Sequence, residues 1–438
     1  LVGGQDLFTI EDDMKNVLAT LLLLFVTATF AQVSGSAVET KLSPAEQSIA
    51  NANKLIDKNP KNFEAYNALA LALSRRARET SDVKFYLQAE DALTKSFEIK
   101  PDNFDGRRTH IWLLLGKHEF AAARDEASIL NKKMPDDVML YGFLTDANVE
   151  LGNYAEAEKA AQWMLDLRPG NLPGMTRAAY LRELFGDIDG SMELMNMSYQ
   201  STPPTEVEDA AWIITQMAHL NLTVGKTAEA EKELQQALAL FPGYHYARSN
   251  LAKVRIQQKR YDEAVDLLRQ RYTAAPHAEN LFDLAEALHL AGRTDEAGKA
   301  FAEFEQKSLL ETAKADNSNH ELILYYTEYA NQPAKALEVA QREVARRRDV
   351  FTVDCYAWAL HANGRNAEAR KQIETALAVG IRNARIFQHA GEIALAVGDR
   401  VQAEKYLRQS AELNAVGSEQ ARVTLAKLDQ QNAKQVAR

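Results

Sequence analysis

Along most of this chain, apolar residues recur three and four positions apart. Tyr154, Ala157, Ala161, Met164 and Leu165 are one such set, and the spacing places them on a single stripe of an α-helix. β-branched runs of strand length are nearly absent after residue 40, so the predicted class is all-α. The helical stretches are punctuated at a fixed period. Pro101, Pro135, Pro169 and Pro203 stand 34 residues apart, as do Pro242 and Pro276. Ala89, Ala123, Ala157, Ser191, Ala230, Ala264, Ala297, Ala336, Ala369 and Ala403 form a second series, with steps of 33, 34 or 39. Gly152, Gly186, Gly225, Gly292, Gly364 and Gly398 form a third, each five residues before its alanine or serine.

Each mark has a physical reason. The glycine ends the first helix of a pair, where a left-handed backbone costs least without a Cβ. The alanine sits in the second helix and faces the first, letting the axes approach to about 8–10 Å. The proline follows the second helix and stops it. The spacing predicts about ten helix–turn–helix units over residues 61–417, led by a half-unit at 44–60 that ends at Pro60. Three departures stand out: an insertion around Ala77–Lys84, an acidic connector at 204–210, and residues 306–319 in place of an expected proline. Residues 416–438, with Val423, Leu425 and Leu428 among polar neighbours, read as the capping helix that a repeat array needs.

This arrangement resembles the tetratricopeptide repeat. Residues 138–171, VMLYGFLTDANVELGNYAEAEKAAQWMLDLRPGN, are the best copy, with Gly152, Tyr154, Ala157 and Pro169 at the marked positions. Stretches such as AAYLRELFGDIDGSMELM and HAGEIALAVGDRVQAEKYL look like a large family of exported bacterial tetratricopeptide proteins. The resemblance implies a right-handed superhelical solenoid over residues 44–415 and a bacterial source, but no catalytic residue and no particular ligand.

Stacked pairs share a core and leave an extended concave face lined by the first helices. The repeat frame assigns to that face Arg177 and Tyr180, then Trp212, Thr215 and His219, then Tyr246, Ser249 and Lys253. It continues with Phe282, Glu286 and His289, then Glu321 and Tyr325, then Asp354, Trp358 and His361. Aromatics bring large contact area at little rotamer cost, which suits a protein or peptide partner. Some tetratricopeptide domains grip a C-terminal carboxylate through Lys, Asn and Arg from three consecutive repeats. That set is not present here, where Asn67 and Asn250 stand alone.

Net charge is −10, which argues against nucleic acid as a partner. One cysteine, Cys355, leaves no intramolecular disulfide and is expected to be buried. The nine histidines show no metal spacing with a third ligand, and no phosphate-cradling loop or nucleophile elbow occurs. No metal, no cofactor and no enzymatic activity are therefore expected. Arg346, Arg347 and Arg348 are read as cations offsetting a helix C-terminus.

Residues 17–26, VLATLLLLFV, follow Met14-Lys15-Asn16 and precede small residues at Thr29 and Ala31, the layout of a secretory signal peptide. The expected organisation is a signal peptide at 14–31, cut after Ala31 or Ala37, a linker at 32–43 and the solenoid from 44. The acidic residues 1–13 fit no signal start and are expected to precede the true initiator. The leading expectation is thus a scaffold or adaptor exported to the periplasm or beyond, holding a polypeptide in its groove. A holdase-like assembly factor for envelope proteins is the alternative.

Overall fold

The computed structural model describes residues 42–436, apart from Ser81, Ala315, Val416 and Gly417, with no side-chain detail beyond residue 430. Residues 1–13, the expected signal peptide at 14–31 and the expected linker as far as residue 41 lie outside the described residues. Every regular element among the described residues is helical. A lone helix, Pro44–Lys58, leads ten antiparallel pairs. In order these are Phe63–Thr80 with Lys84–Ile99, Phe104–Gly116 with Phe120–Lys133, Val138–Glu150 with Tyr154–Leu167, Leu172–Leu184 with Ile188–Ser201, and Val207–Thr223 with Thr227–Leu240. Then come His245–Gln257 with Tyr261–Ala274, Ala278–Leu290 with Thr294–Leu309, Asn319–Leu324 with Pro333–Val344, Val350–Ala362 with Asn366–Leu377, and Ala384–Ala396 with Arg400–Leu413. The helix Ser418–Val436 follows, and its Leu425 and Leu428 cover the last pair.

The punctuation sits where the spacing puts it. All ten members of the alanine series are buried, most of them completely. The glycines are left-handed, for example Gly152 at φ +75° and Gly398 at φ +81°. Gaps in the glycine series are filled by residues that accept the same backbone. His118, Lys259 and Asn331, each five before its alanine, have φ of 60°, 58° and 51°. A side chain there costs about 1–2 kcal/mol. Replacing Lys259 by glycine, less the entropy that glycine adds to the unfolded chain, should raise stability by about 0.5–1 kcal/mol. Urea unfolding measures this, and an unchanged or lower midpoint contradicts it.

The acidic connector lies where the Val207–Thr223 helix begins. The 306–319 stretch lengthens one helix to Leu309 and then makes a loop to the short helix at Asn319. That short helix runs into a π-helical turn, Tyr325–Tyr329.

The solenoid also coils onto itself, which periodicity alone does not announce. The turn of the third pair meets the loop before the ninth. The amides of Arg348 and Asp349 both donate to the Glu150 carbonyl, at 2.9 and 3.1 Å. Val350 N–H donates to the Tyr154 hydroxyl at 2.8 Å, across 196 residues. Arg347 reaches Glu150 at 3.5 Å as well as Glu343 at 2.8 Å. The same offset recurs one repeat later, where a Cβ on Gly186 would stand 2.5 Å from the Gly380 carbonyl oxygen. It recurs again at Gly225, 2.8 Å from the Leu413 oxygen by the same measure. At the start of the coil, Arg78 pairs with Glu208 and, at 2.8 Å, with Asp209. One hydrophobic cluster draws Val149, Ala157, Leu181 and Leu184 from one turn and Val350, Val353, Ile381 and Ile386 from the next.

The reading of the three arginines therefore changes. The helix ends at Val344, and Arg347 and Arg348 serve the seam between turns. Arg346 donates to the carbonyls of Ala313 and Lys314.

Candidate functional site

The first helices face inward, and coiling turns their concave face into a cavity of about 1170 Å³. Its walls come from six consecutive repeats and the terminal helix, which contributes Thr424 and Lys427. Of the residues that the repeat frame assigned inward, His219, Lys253, His289, Asp354 and Trp358 line this cavity. Ser249, Phe282, Glu286 and Glu321 line it too.

The others lie elsewhere. Arg177 is spent on Asp146, with its Nε 2.8 Å from Oδ1 and an Nη 2.6 Å from Oδ2. Together with Tyr180 it borders a separate cavity of about 290 Å³ beside Glu150 and Arg347. Trp212 packs between repeats. Tyr246 lies over His245, ring centroids 3.9 Å apart, and His245 in turn bonds the Arg78 carbonyl at 2.9 Å. His361 bonds Asn366 through Nδ1 at 2.8 Å.

Tyr325 stacks on Phe301 at 5.3 Å and meets Phe304 edge-on. On the same stretch Leu324, Thr327, Glu328 and Tyr329 face the cavity instead. Asn67, the isolated candidate for a carboxylate grip, is buried and joined to Ser96 at 2.6 Å and Asn103 at 2.9 Å.

Aromatic and charged groups alternate on the cavity wall. Trp358 stacks on His389, centroids 4.1 Å apart and planes within 9°. His389 is fully buried. Its Nδ1 faces Asp354 at 2.9 Å, and its Nε2 lies 3.9 Å from Glu328, beyond hydrogen-bond reach. Burial opposes the imidazolium, but Asp354 and Glu328 outweigh it, and the pKa is raised above the usual value.

The sign of the consequence follows from linkage. A histidine whose folded pKa is raised stabilises the protein fully below about pH 6.5, and the contribution fades as pH rises through the folded value. His389→Gln should therefore cost more stability at pH 6 than at pH 8.5, read from urea midpoints. An equal cost at both values would contradict a charged His389.

Three carboxyls on the wall, Asp283, Glu286 and Glu321, are pushed up, each chiefly by burial. Glu286 rises to about 7 because it is buried and because Asp283 and Glu328 add negative charge that Arg385 only partly offsets. Glu321 rises to about 8, through burial and then through Glu279 and Asp283. Cys355 is buried, and desolvation holds its thiol well above the ordinary range.

The Glu286–His289 pair, three residues apart on one helix, does not bond to itself. Glu286 accepts from the Tyr329 hydroxyl at 3.0 Å, and His289 meets the edge of the same ring at 5.3 Å. Among the described residues no group of three or more His, Cys, Asp or Glu is placed to hold a metal ion. No helix among them is long and apolar enough to cross a membrane.

Comparison with known proteins agrees with the helix-pair geometry. A family model described as Tetratricopeptide repeat matches residues 222–276. A curated relative, the TPR repeat-containing protein YpiA of Bacillus subtilis (strain 168), is 24% identical over 292 residues, covering 61% of this chain and 64% of its own length. The chain thus spans less than two thirds of that relative.

Among solved structures, the APC/C hetero-tetramer Cut9–Hcn1 is similar with a TM-score of 0.49 and 16% identity, over 71% of this chain and 58% of that one. The human IFIT1 dimer with PPP-AAAA gives 0.47 and 12%, over 86% and 96%. The type IV pilus biogenesis factor PilW gives 0.40 and 13%, over 46% and 91%. The matched family model covers residues 222–276, and the same helix-pair period runs through the rest of the described residues.

Proposed function

We propose that this protein is a binding scaffold that holds a polypeptide segment inside its coil, and that it works outside the bacterial cytoplasm. The observation that carries the first part is the cavity. Rigid helices from consecutive repeats present Trp358, Phe351, Tyr329 and His289 beside fixed charges in about 1170 Å³. Sites of this size on rigid elements, with aromatic walls and a few polar groups, are suited to binding. An extended segment, with side chains projecting to alternate sides, fits a channel of this kind. Export rests on the signal-like pattern at 14–31.

Chemical cross-linking of partners in cell extract tests the site. Trp358→Ala should reduce recovery of the partner about fivefold or more, as loss of an aromatic anchor does. Trp163→Ala, which alters an exposed ring outside the cavity, should leave recovery unchanged. The reverse ranking would place binding on the outer surface. N-terminal sequencing of protein from the periplasmic fraction tests export: a mature start at Gln32 or Val38 is expected, and a retained Met14 in the cytoplasmic fraction contradicts it.

A further inference from the structure

The charges on the cavity wall do not balance. Asp283 is answered by Arg271 at 2.5 Å. Glu286 takes the Tyr329 hydroxyl and lies 3.8 Å from Arg385, while Glu328 faces the Nε2 of His389 at 3.9 Å and shares the field of Arg385, which together hold its carboxyl below the usual range against its burial. Glu321 points into the same space; its carboxyl accepts from its own backbone amide and feels the Arg347 charge, but no ion pair to it is found among the described residues. Lys253 also lines the cavity, and its field reaches Glu279 and Asp283.

An ionised carboxylate half-withdrawn from water and left unpaired is costly. The upward pKa shifts of Glu321 and Glu286 are the electrostatic expression of that imbalance. Beside these carboxylates stand Tyr329, Phe351 and Trp358, whose ring faces attract cations.

We infer that the cavity takes a basic side chain, lysine or arginine, from an extended segment of the bound polypeptide, with Glu321 as its main counter-ion and Glu286 and Glu328 beside it. The inference rests on the proposal that the cavity holds a polypeptide, and adds the chemistry by which it selects one. A guanidinium satisfies two carboxylates at once and lays its flat face on an aromatic ring. A lysine stem runs along the apolar wall and delivers a point charge. An acidic segment meets like charge and is rejected.

The test uses the full chain and fluorescein-labelled peptide libraries of about nine residues, degenerate except for a central Arg, Lys, Gln or Glu, read by fluorescence anisotropy. Arg- and Lys-centred libraries should bind about tenfold tighter than the Gln-centred one, with the Glu-centred library weakest. In Glu321→Gln the Arg and Gln libraries should converge to within about twofold, as expected when the counter-ion is lost. Glu286→Gln should show a smaller loss of preference and guards against an unfolded first variant.

Equal binding of all four libraries, abolished by Trp358→Ala, overturns the charge selection and leaves the polypeptide site standing. A preference for Arg that survives in the Glu321→Gln/Glu286→Gln double variant also overturns it. Binding of no library removes both readings together.

Discussion

Gly186→Ala is expected to loosen the coil, whereas Gly398→Ala leaves its shape intact. The two glycines occupy the same place in their repeats and the same backbone well, both at φ +81°. An alanine at either position pays the left-handed penalty of about 1–2 kcal/mol. Only their surroundings differ. Nothing lies within 4 Å of a Cβ on Gly398, whereas on Gly186 it would stand 2.5 Å from the Gly380 carbonyl oxygen.

That oxygen belongs to backbone, so no rotamer change relieves the overlap. The approach is mutual, because a Cβ on Gly380 would stand 2.9 Å from the Phe185 oxygen. Both variants should melt earlier. Small-angle scattering should show a larger radius of gyration for Gly186→Ala alone. An identical radius for the two variants would mean that the seam tolerates the shift, and that contact between turns does not set the shape.

Arg271→Ala is expected to lose about 1.5–3 kcal/mol of stability, the cost of removing a buried guanidinium that bonds the half-buried Asp283. Arg271 is 3% exposed. It joins Asp283 at 2.5 Å and Glu279 at 3.5 Å, tying the Tyr261–Ala274 helix to the start of the next repeat. Without it, both carboxylates face Glu321 and Glu286, with Lys253 near both and His277 near Glu279 as remaining neighbours of opposite sign.

Arg271→Met/Asp283→Asn should recover a large part of the loss, since replacing a buried pair costs less than breaking it. Urea unfolding of the two variants decides this. A single-variant cost below about 1 kcal/mol would place the pair among solvent-screened surface bridges.

The helix pairs, their boundaries and the buried alanines were legible because they are properties of one repeat. A 34-residue period is local, and each glycine, alanine and proline acts within a few residues of itself. Even the gaps at His118, Lys259 and Asn331 could have been read, since a period that skips a glycine still needs the left-handed residue.

The seam could not be read. Contacts such as Tyr154 with Val350 join positions 196 residues apart, and they depend on the summed rotation of the repeats between. A small rotation per repeat, invisible in sequence, decides whether a solenoid stays open or meets its own next turn.

The candidate site was legible only in outline for the same reason. The inward frame found His219, Lys253, His289, Asp354 and Trp358 on the cavity wall. It misplaced Tyr325, which packs on Phe301 and Phe304 of the preceding repeat. It also had no means to pair His389 with Asp354 or to see that Arg347 closes onto Glu150. Those partners belong to neighbouring repeats and neighbouring turns.

The account depends most on one claim, that successive turns of the coil touch. The amides of Arg348, Asp349 and Val350 report on it directly, because their acceptors are the Glu150 carbonyl and the Tyr154 hydroxyl on the turn below. Hydrogen–deuterium exchange on the segment around these residues should show protection comparable with the adjoining helix, reduced at Val350 by Tyr154→Phe. Exchange of all three at the rate of an open loop would mean that the turns stand apart and that the cavity is an open groove.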